Sequence, residues 1–192
     1  MPIPDDLISR CDAVPGYMGI EELHWLWDQA GKSPVCLEMG VWKGRSTTTL
    51  CLACPDVVVS VDSWMGSPGF EDDTKPMVES AEVRLSIIQE AFKNLQEFRE
   101  SGKLVLLPLR TDQLWDWLVN RVFANFTFID AGHDYQSVLE DIQLALNVTH
   151  GIIGGHDYDD NFPGVKQAVD EAFGDRVKRG PGSIWWTETH DA

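Results

Sequence analysis

Five short apolar runs recur along this chain, each followed by a longer amphipathic stretch: "VCLEMG", "VVVSVD", "KLVLLPL", "FTFID" and "GIIGG". Runs of that length, bounded by turn residues, read as strands buried on both faces. Crossover helices are expected at "GRSTTTLCLA", "MVESAEVRLSIIQEAFKNLQEFRE", "DQLWDWLVNRV", "DYQSVLEDIQLAL" and "GVKQAVDEAF", after an opening helix near "GIEELHWLWDQAG". Such alternation predicts an α/β chain: a Rossmann-like, doubly wound, mostly parallel sheet with helices on both faces. The end breaks the pattern, because "DRVKRGPGSIWWTE" holds two strand-like segments joined by Gly-Pro-Gly with no room for a helix. An antiparallel hairpin at one edge is expected there, giving seven strands in all.

One domain over residues 1–192 suits a chain of this length with 43% hydrophobic residues. Its parts are an N-terminal helical segment over 1–33, a core over 34–188, and an irregular Gly- and Pro-rich loop over 64–80 with the character of a lid. Formal net charge is −16, which repels nucleic-acid phosphates and anionic membrane surfaces. No apolar run reaches the length of a membrane span, and the opening "MPIPDDLISRCD" lacks secretory features, so a cytoplasmic location is expected. The four cysteines, Cys11, Cys36, Cys51 and Cys54, do not pair at zinc-site spacing and read as reduced thiols. Tryptophans fall in close pairs that share no helix face, which points to core packing or a homodimer contact rather than a binding stripe.

Ligands of open α/β sheets bind outside the carboxyl ends of the strands. After the first strand comes "LEMGVWKGRST", with Glu38, Gly40, Trp42, Gly44, Ser46 and Thr47. Glycines there allow close approach to the backbone, and the opening of a helix attracts negative atoms. Neither a Walker A loop nor the dinucleotide pattern G-x-G-x-x-G is present, since the glycines are spaced G-x-x-x-G. An acid two residues before the glycine suits a ligand carrying an ammonium and a sulfonium better than a pyrophosphate. The second strand ends in "SVDSW", where the Asp62 carboxylate is placed to accept ribose hydroxyls. Together these positions sketch a site for S-adenosylmethionine, although either acid taken singly also suits a helix cap.

The tetrapeptide Gly-His-Asp-Tyr occurs twice, at 132–135 and 155–158, each time directly after a strand. Asp130, His133, His156 and Asp157 are thereby expected to converge on one cleft. Methyl transfer to a hydroxyl needs the oxygen held in line and its proton removed, a task for a histidine base such as His133 beside Asp130. Asp130, His156 and Asp157 could also hold Mg²⁺ or Mn²⁺. Helix capping is the plain alternative for Asp130 and Asp134, and strand-end packing for the histidines.

In "CLEMGVWKGRSTTTL", "VSVDSW", "FIDAGHDYQSVLEDI" and "GIIGGHDYDDNFPGVKQAVDEAF" the chain resembles the class I S-adenosylmethionine-dependent methyltransferases, in particular their small-molecule, sugar-type O-methyltransferase branch. The resemblance implies that Glu38 and Gly40 contact the methionine part, Asp62 the ribose, and Ser63 and Trp64 the adenine neighbourhood. It also implies that Thr111 and Asp112 flank the base. Metal-dependent relatives carry an Asp after the fourth strand and an Asp pair after the fifth; here Asp130 and Asp157 match, while His156 replaces an Asp. The acceptor implied is a small molecule with a hydroxyl. A catalytically silent nucleotide-binding or interaction domain and a nicotinamide oxidoreductase remain the alternatives.

Overall fold

The computed structural model describes residues 3–66, 80–115 and 123–189. Five parallel strands form the centre: β1 (Val35–Met39), β2 (Val57–Val61), β3 (Leu104–Leu107), β4 (Ala124–Ile129) and β5 (Thr149–Gly155). With β6 (Lys178–Arg179) and β7 (Trp185–Glu188) they make a seven-stranded sheet of order β3-β2-β1-β4-β5-β7-β6. β7 runs antiparallel to both β5 and β6, so the expected terminal hairpin is present.

Strand register decides where the site lies. Val61 pairs with Met39, Met39 with Ile129, and Ile129 with Gly155, so four strands end on one line across the sheet. The next residues, Asp62, Gly40, Asp130 and His156, therefore leave the sheet at one level. Each continues the ladder by one amide: Asp62 donates to Leu107, Gly40 to Val61, Asp130 to Met39 and His156 to Ile129, at 2.8–3.2 Å.

Side-chain alternation along the strands feeds two apolar layers. Cys36, Phe126 and Phe128 face the layer packed by α2 (Ile20–Ala30) and α3 (Arg45–Ala53), while Leu37, Met39 and Ile129 face α6 (Tyr135–Val148) and α7 (Pro163–Phe173) on the other side. Burying a phenylalanine such as Phe126 or Phe128 contributes about 1.5–3 kcal/mol each. The tryptophans serve this packing: Trp25 meets Phe126 edge-on at 5.9 Å and Trp185 lies 5.7 Å from Phe173.

The long helix expected over 77–100 is two helices, α4 (Ala81–Asn94) and α5 (Gln96–Glu100). Ser80 caps α4 by accepting from the Val83 amide. The break turns the fully buried Leu95 against Gly44, where an added Cβ would stand 2.9 Å from Leu95, and lets the Asn94 amide donate to the Lys43 carbonyl. Of the helix expected over 112–122, only its start is described, as a 3₁₀ turn at Thr111–Leu114. Most of the expected 64–80 lid also lies outside the described residues. No helix among the described residues is long and apolar enough to cross a membrane.

The N-terminal segment opens with α1 (Asp5–Asp12), and the first residue of α3 clasps its backbone. Arg45 donates to the carbonyls of Asp12, Val14 and Met18 and to the Asp12 carboxylate. Its side chain is 11% exposed, unlike that of Lys32, which is 63% exposed in its pair with Asp28. Hydrogen bonds from a shielded charge are worth about 1.5–3 kcal/mol, an exposed ion pair about 0–1 kcal/mol. Arg45→Ala is thus expected to lower the unfolding free energy by about 2 kcal/mol or more in a urea titration, and Lys32→Ala by less than about 1 kcal/mol.

Glu38 ties β1 to its neighbours from a fully buried position, its Oε2 accepting from Thr47 and Ser60 hydroxyls at 2.7 Å each. Burial raises its carboxyl from 4.5 to about 7, against the pull of the Ser46, Thr47 and Ser60 hydroxyls. Between those values the folded protein retains a proton that the unfolded chain releases. Stability is consequently expected to fall as pH rises from 4.5 to about 7, with the loss complete above that range. In the Glu38→Gln variant this part of the pH dependence should vanish from chemical denaturation curves; an unchanged slope would contradict the assignment.

Candidate active site

Between β1 and β4 the crossovers depart in opposite directions, and the crevice they leave at the carboxyl edge opens into a cavity of about 1040 Å³. Of the residues singled out in the sequence, Gly40, Trp42, Ser46, Asp62, Ser63, Thr111, Asp112, Asp130, His133, His156 and Asp157 line it. Glu38, Gly44, Thr47 and Trp64 do not; they stand behind the wall and brace it.

Gly40 has φ +95°, and a Cβ there would lie 1.9 Å from the Asp130 carbonyl oxygen. Only glycine lets the ends of β1 and β4 close to this distance. Asp62 organises the next loop. Its Oδ2 accepts from the amides of Val41 and Trp42 at 2.8 Å, and its Oδ1 from the Trp64 amide at 2.6 Å. Burial raises its carboxyl despite these three bonds. A carboxylate has about four lone-pair positions, so one, on Oδ1, is not used by these amides.

Trp64 differs from the expected adenine contact. It is 1% exposed, packs toward Phe92, and donates its indole N–H to the Trp42 carbonyl at 2.8 Å. Trp42 itself stacks on Tyr17, ring centroids 5.0 Å apart, and so joins the loop to the N-terminal wall. Thr111 and Asp112 sit at the far end, below β3; Asp112 is held by a two-pronged pair with Arg110 at 2.7 and 3.0 Å. Asp134 caps α6 by accepting from the Ser137 amide.

At the other end the two Gly-His-Asp-Tyr turns meet. Glu22, His156, Asp157 and His133 form a chain of alternating carboxylates and imidazoles. Glu22 Oε1 lies 3.1 Å from His156 Nε2, His156 Nδ1 lies 2.9 Å from Asp157 Oδ1, and Asp157 Oδ2 lies 3.1 Å from His133 Nε2. Asp130 Oδ1 stands 3.8 Å from His156 Nδ1. Burial opposes charge on His156, but Asp130, Asp157 and Glu22 prevail and raise its pKa. Asp157 moves the opposite way, because the two histidines outweigh burial and hold it ionised. Burial pushes Asp130 up, aided by the charge of Asp157.

Asp130, His156 and Asp157 each offer a ligand atom, and these atoms lie within 4.8 Å of one another. Two hard carboxylates with one imidazole fit a divalent cation, and the imidazole shifts preference from Mg²⁺ toward Mn²⁺. His156 also has the partner that metal-bound histidines need, a carboxylate on its remote nitrogen. Asp157 also carries backbone strain, with φ 62°, as do two residues of the loops after β1 and β2, Trp42 at 48° and Trp64 at 51°. Strain of this kind costs on the order of 1–3 kcal/mol per residue and persists where surrounding bonds overdetermine it.

Glu22, Arg45 and Tyr17 belong to the site although the sequence did not mark them. Glu22 occupies the third position of α2 and does bond back to the Gly19 amide, so it reads locally as a helix-start residue. Its second oxygen reaches a residue 134 positions away, which no local pattern announces.

A family model described as a methyltransferase domain matches residues 37–158, well over half of the chain. No curated protein matches the chain in sequence. Among solved structures the fold is similar to that of cofactor-bound Rv0187 from MTB, at 16% identity and TM-score 0.65, covering 97% of this chain and 89% of that one. It is also similar to the O-methyltransferase from Bacillus cereus in complex with SAH, at 17% identity and TM-score 0.62, covering 97% and 92%. A third is TomG from Streptomyces achromogenes, an O-methyltransferase of tomaymycin synthesis in complex with SAM, at 14% identity and TM-score 0.64, covering 99% and 92%. At these identities the likeness is one of fold. The family match spans the strands that build the cavity, and the chain belongs to the methyltransferase-domain family, on the class I S-adenosylmethionine-dependent fold.

Proposed function

We propose that the chain transfers a methyl group from S-adenosylmethionine to a hydroxyl of a small molecule, a sugar being one candidate acceptor. The observation that carries this reading is the meeting, in one cavity, of the Gly40–Asp62 loops with the His133–Asp157–His156 chain. When bound, S-adenosylmethionine supplies an electrophilic methyl carbon on a sulfonium, whose transfer leaves a neutral thioether.

Gly40 gives the methionine part close access to the backbone, and Asp62 offers its remaining lone pair to a ribose hydroxyl. Ser46, Ser63, Thr111 and Asp112 line the path from there toward β3, where the base would lie. Phe162, which lines the cavity beside His133, suits the apolar side of a ring-bearing acceptor, while Trp42 belongs to the cofactor loop. Glu38, Gly44, Thr47 and Trp64 act by shaping these loops.

His133 takes the acceptor's proton. Asp157 Oδ2 accepts from its Nε2–H, which selects the tautomer with Nδ1 as the basic atom and stabilises the imidazolium formed. Phe162 packs on the His133 ring at 4.7 Å and Nδ1 is itself buried, so the ring must turn for Nδ1 to reach the acceptor's hydroxyl. Asp130, His156 and Asp157 are the residues that would hold Mn²⁺ or Mg²⁺, which would lower the hydroxyl's pKa. Without it, the His156 imidazolium neutralises the same carboxylates. The net charge of −16 argues against nucleic acid as acceptor.

Calorimetry with S-adenosylmethionine should show one site per chain, and no heat with or without Mn²⁺ would refute the cofactor assignment. In a screen of small hydroxyl acceptors, His133→Ala is expected to lower turnover by about 100-fold or more while cofactor affinity changes little. Turnover equal to wild type would remove His133 as the base.

A further inference from the structure

We propose that Glu22, from the N-terminal helix α2, is a positioning residue for the Asp130–His156–Asp157 donor set, holding the His156 ring with Nε2 toward itself and Nδ1 toward the two aspartates. The proposal rests on the reading above that this set holds a divalent cation.

Glu22 is 8% exposed and spans two oxygens' worth of anchors. Oε1 accepts from His156 Nε2 at 3.1 Å and from the Ser183 amide at 3.0 Å, and Oε2 accepts from the Gly19 amide at 2.7 Å. A carboxylate bonded on both oxygens cannot swing, so the ring it grips cannot flip. With Nε2 engaged, the nitrogen left to face Asp157 Oδ1 at 2.9 Å and Asp130 Oδ1 at 3.8 Å is Nδ1. A remote carboxylate that orients a histidine and raises its basicity is what a histidine ligand requires.

The clasp extends to the second ligand. Ser183, whose amide anchors Glu22, also accepts the Asp157 amide on its hydroxyl at 3.1 Å and the Tyr158 amide on its carbonyl at 2.9 Å. These bonds hold Asp157 at its positive φ of 62°. Gly182 completes the fit: it has φ +59°, and a Cβ there would lie 2.1 Å from Glu22 Oε1. Glu22 and Ser183 both fall outside the stretch 37–158 that the family model matches, so the two ends of the chain supply this clasp to a core that carries the ligands.

The test compares wild type with Glu22→Ala and Glu22→Gln, the second keeping an acceptor for Nε2–H without the charge. Mn²⁺ binding read by electron paramagnetic resonance should weaken by about 10–100-fold in Glu22→Ala and by less in Glu22→Gln, with S-adenosylmethionine affinity retained. Mn²⁺ affinity unchanged in both variants would overturn the proposal. Should wild type bind no Mn²⁺, the cation reading fails by itself, and Glu22 is then judged from the metal-free ring by ¹⁵N nuclear magnetic resonance. A His156 Nε2–H proton protected from exchange in wild type and lost in Glu22→Ala supports the hold; equal protection in both overturns it.

Discussion

A gap between two adjacent parallel strands is the constraint on which this molecule depends. β1 and β4 lie side by side, yet the chain leaves them in opposite directions, so no crossover covers their carboxyl ends. Because the strands there finish in one row, the residues one step further on emerge level with each other: Asp62, Gly40, Asp130 and His156. Sheet geometry also spaces the chemistry. At about 4.8 Å per strand, β3 and β5 are about 19 Å apart, room for an elongated nucleoside at one end and a reacting centre at the other.

Electrostatics then separates the two ends. On the β1–β2 side, Asp62 accepts from three loop amides and Glu38 accepts two hydroxyls on one oxygen, so these acids brace loops. On the β4–β5 side the acids meet histidines instead, and the chain from Glu22 to His133 shares charge among buried groups. Breaking one member of such a buried network leaves its neighbour uncompensated, which gives every link a stake in the geometry of the rest.

Most of the fold was legible because it follows from local pattern. Short buried strands alternating with helices, and the Gly-Pro-Gly hairpin, are read from composition over a few residues, and each strand run appears where it was placed. The break at Leu95 was not legible, since it comes from the tertiary fit of Leu95 on Gly44 and of Asn94 on Lys43. The site shows the same division. Residues directly after strands were found, because position in the chain implies position at the sheet edge. Their partners were not: Glu22 looks like an ordinary helix start and Arg45 like an ordinary helix residue, and only long-range contacts reveal them. Trp64 shows the converse, a residue in the right loop whose ring turns into the core.

A crystal structure of the protein with S-adenosylhomocysteine and Mn²⁺, read by anomalous scattering at the manganese edge, tests the central claim most directly. The account predicts the nucleoside along β1–β3 with its ribose at Asp62, its sulfur beside Gly40, and an anomalous peak among Asp130, His156 and Asp157. Nucleoside density elsewhere, or in this crevice with its sulfur turned away from His133, would contradict it.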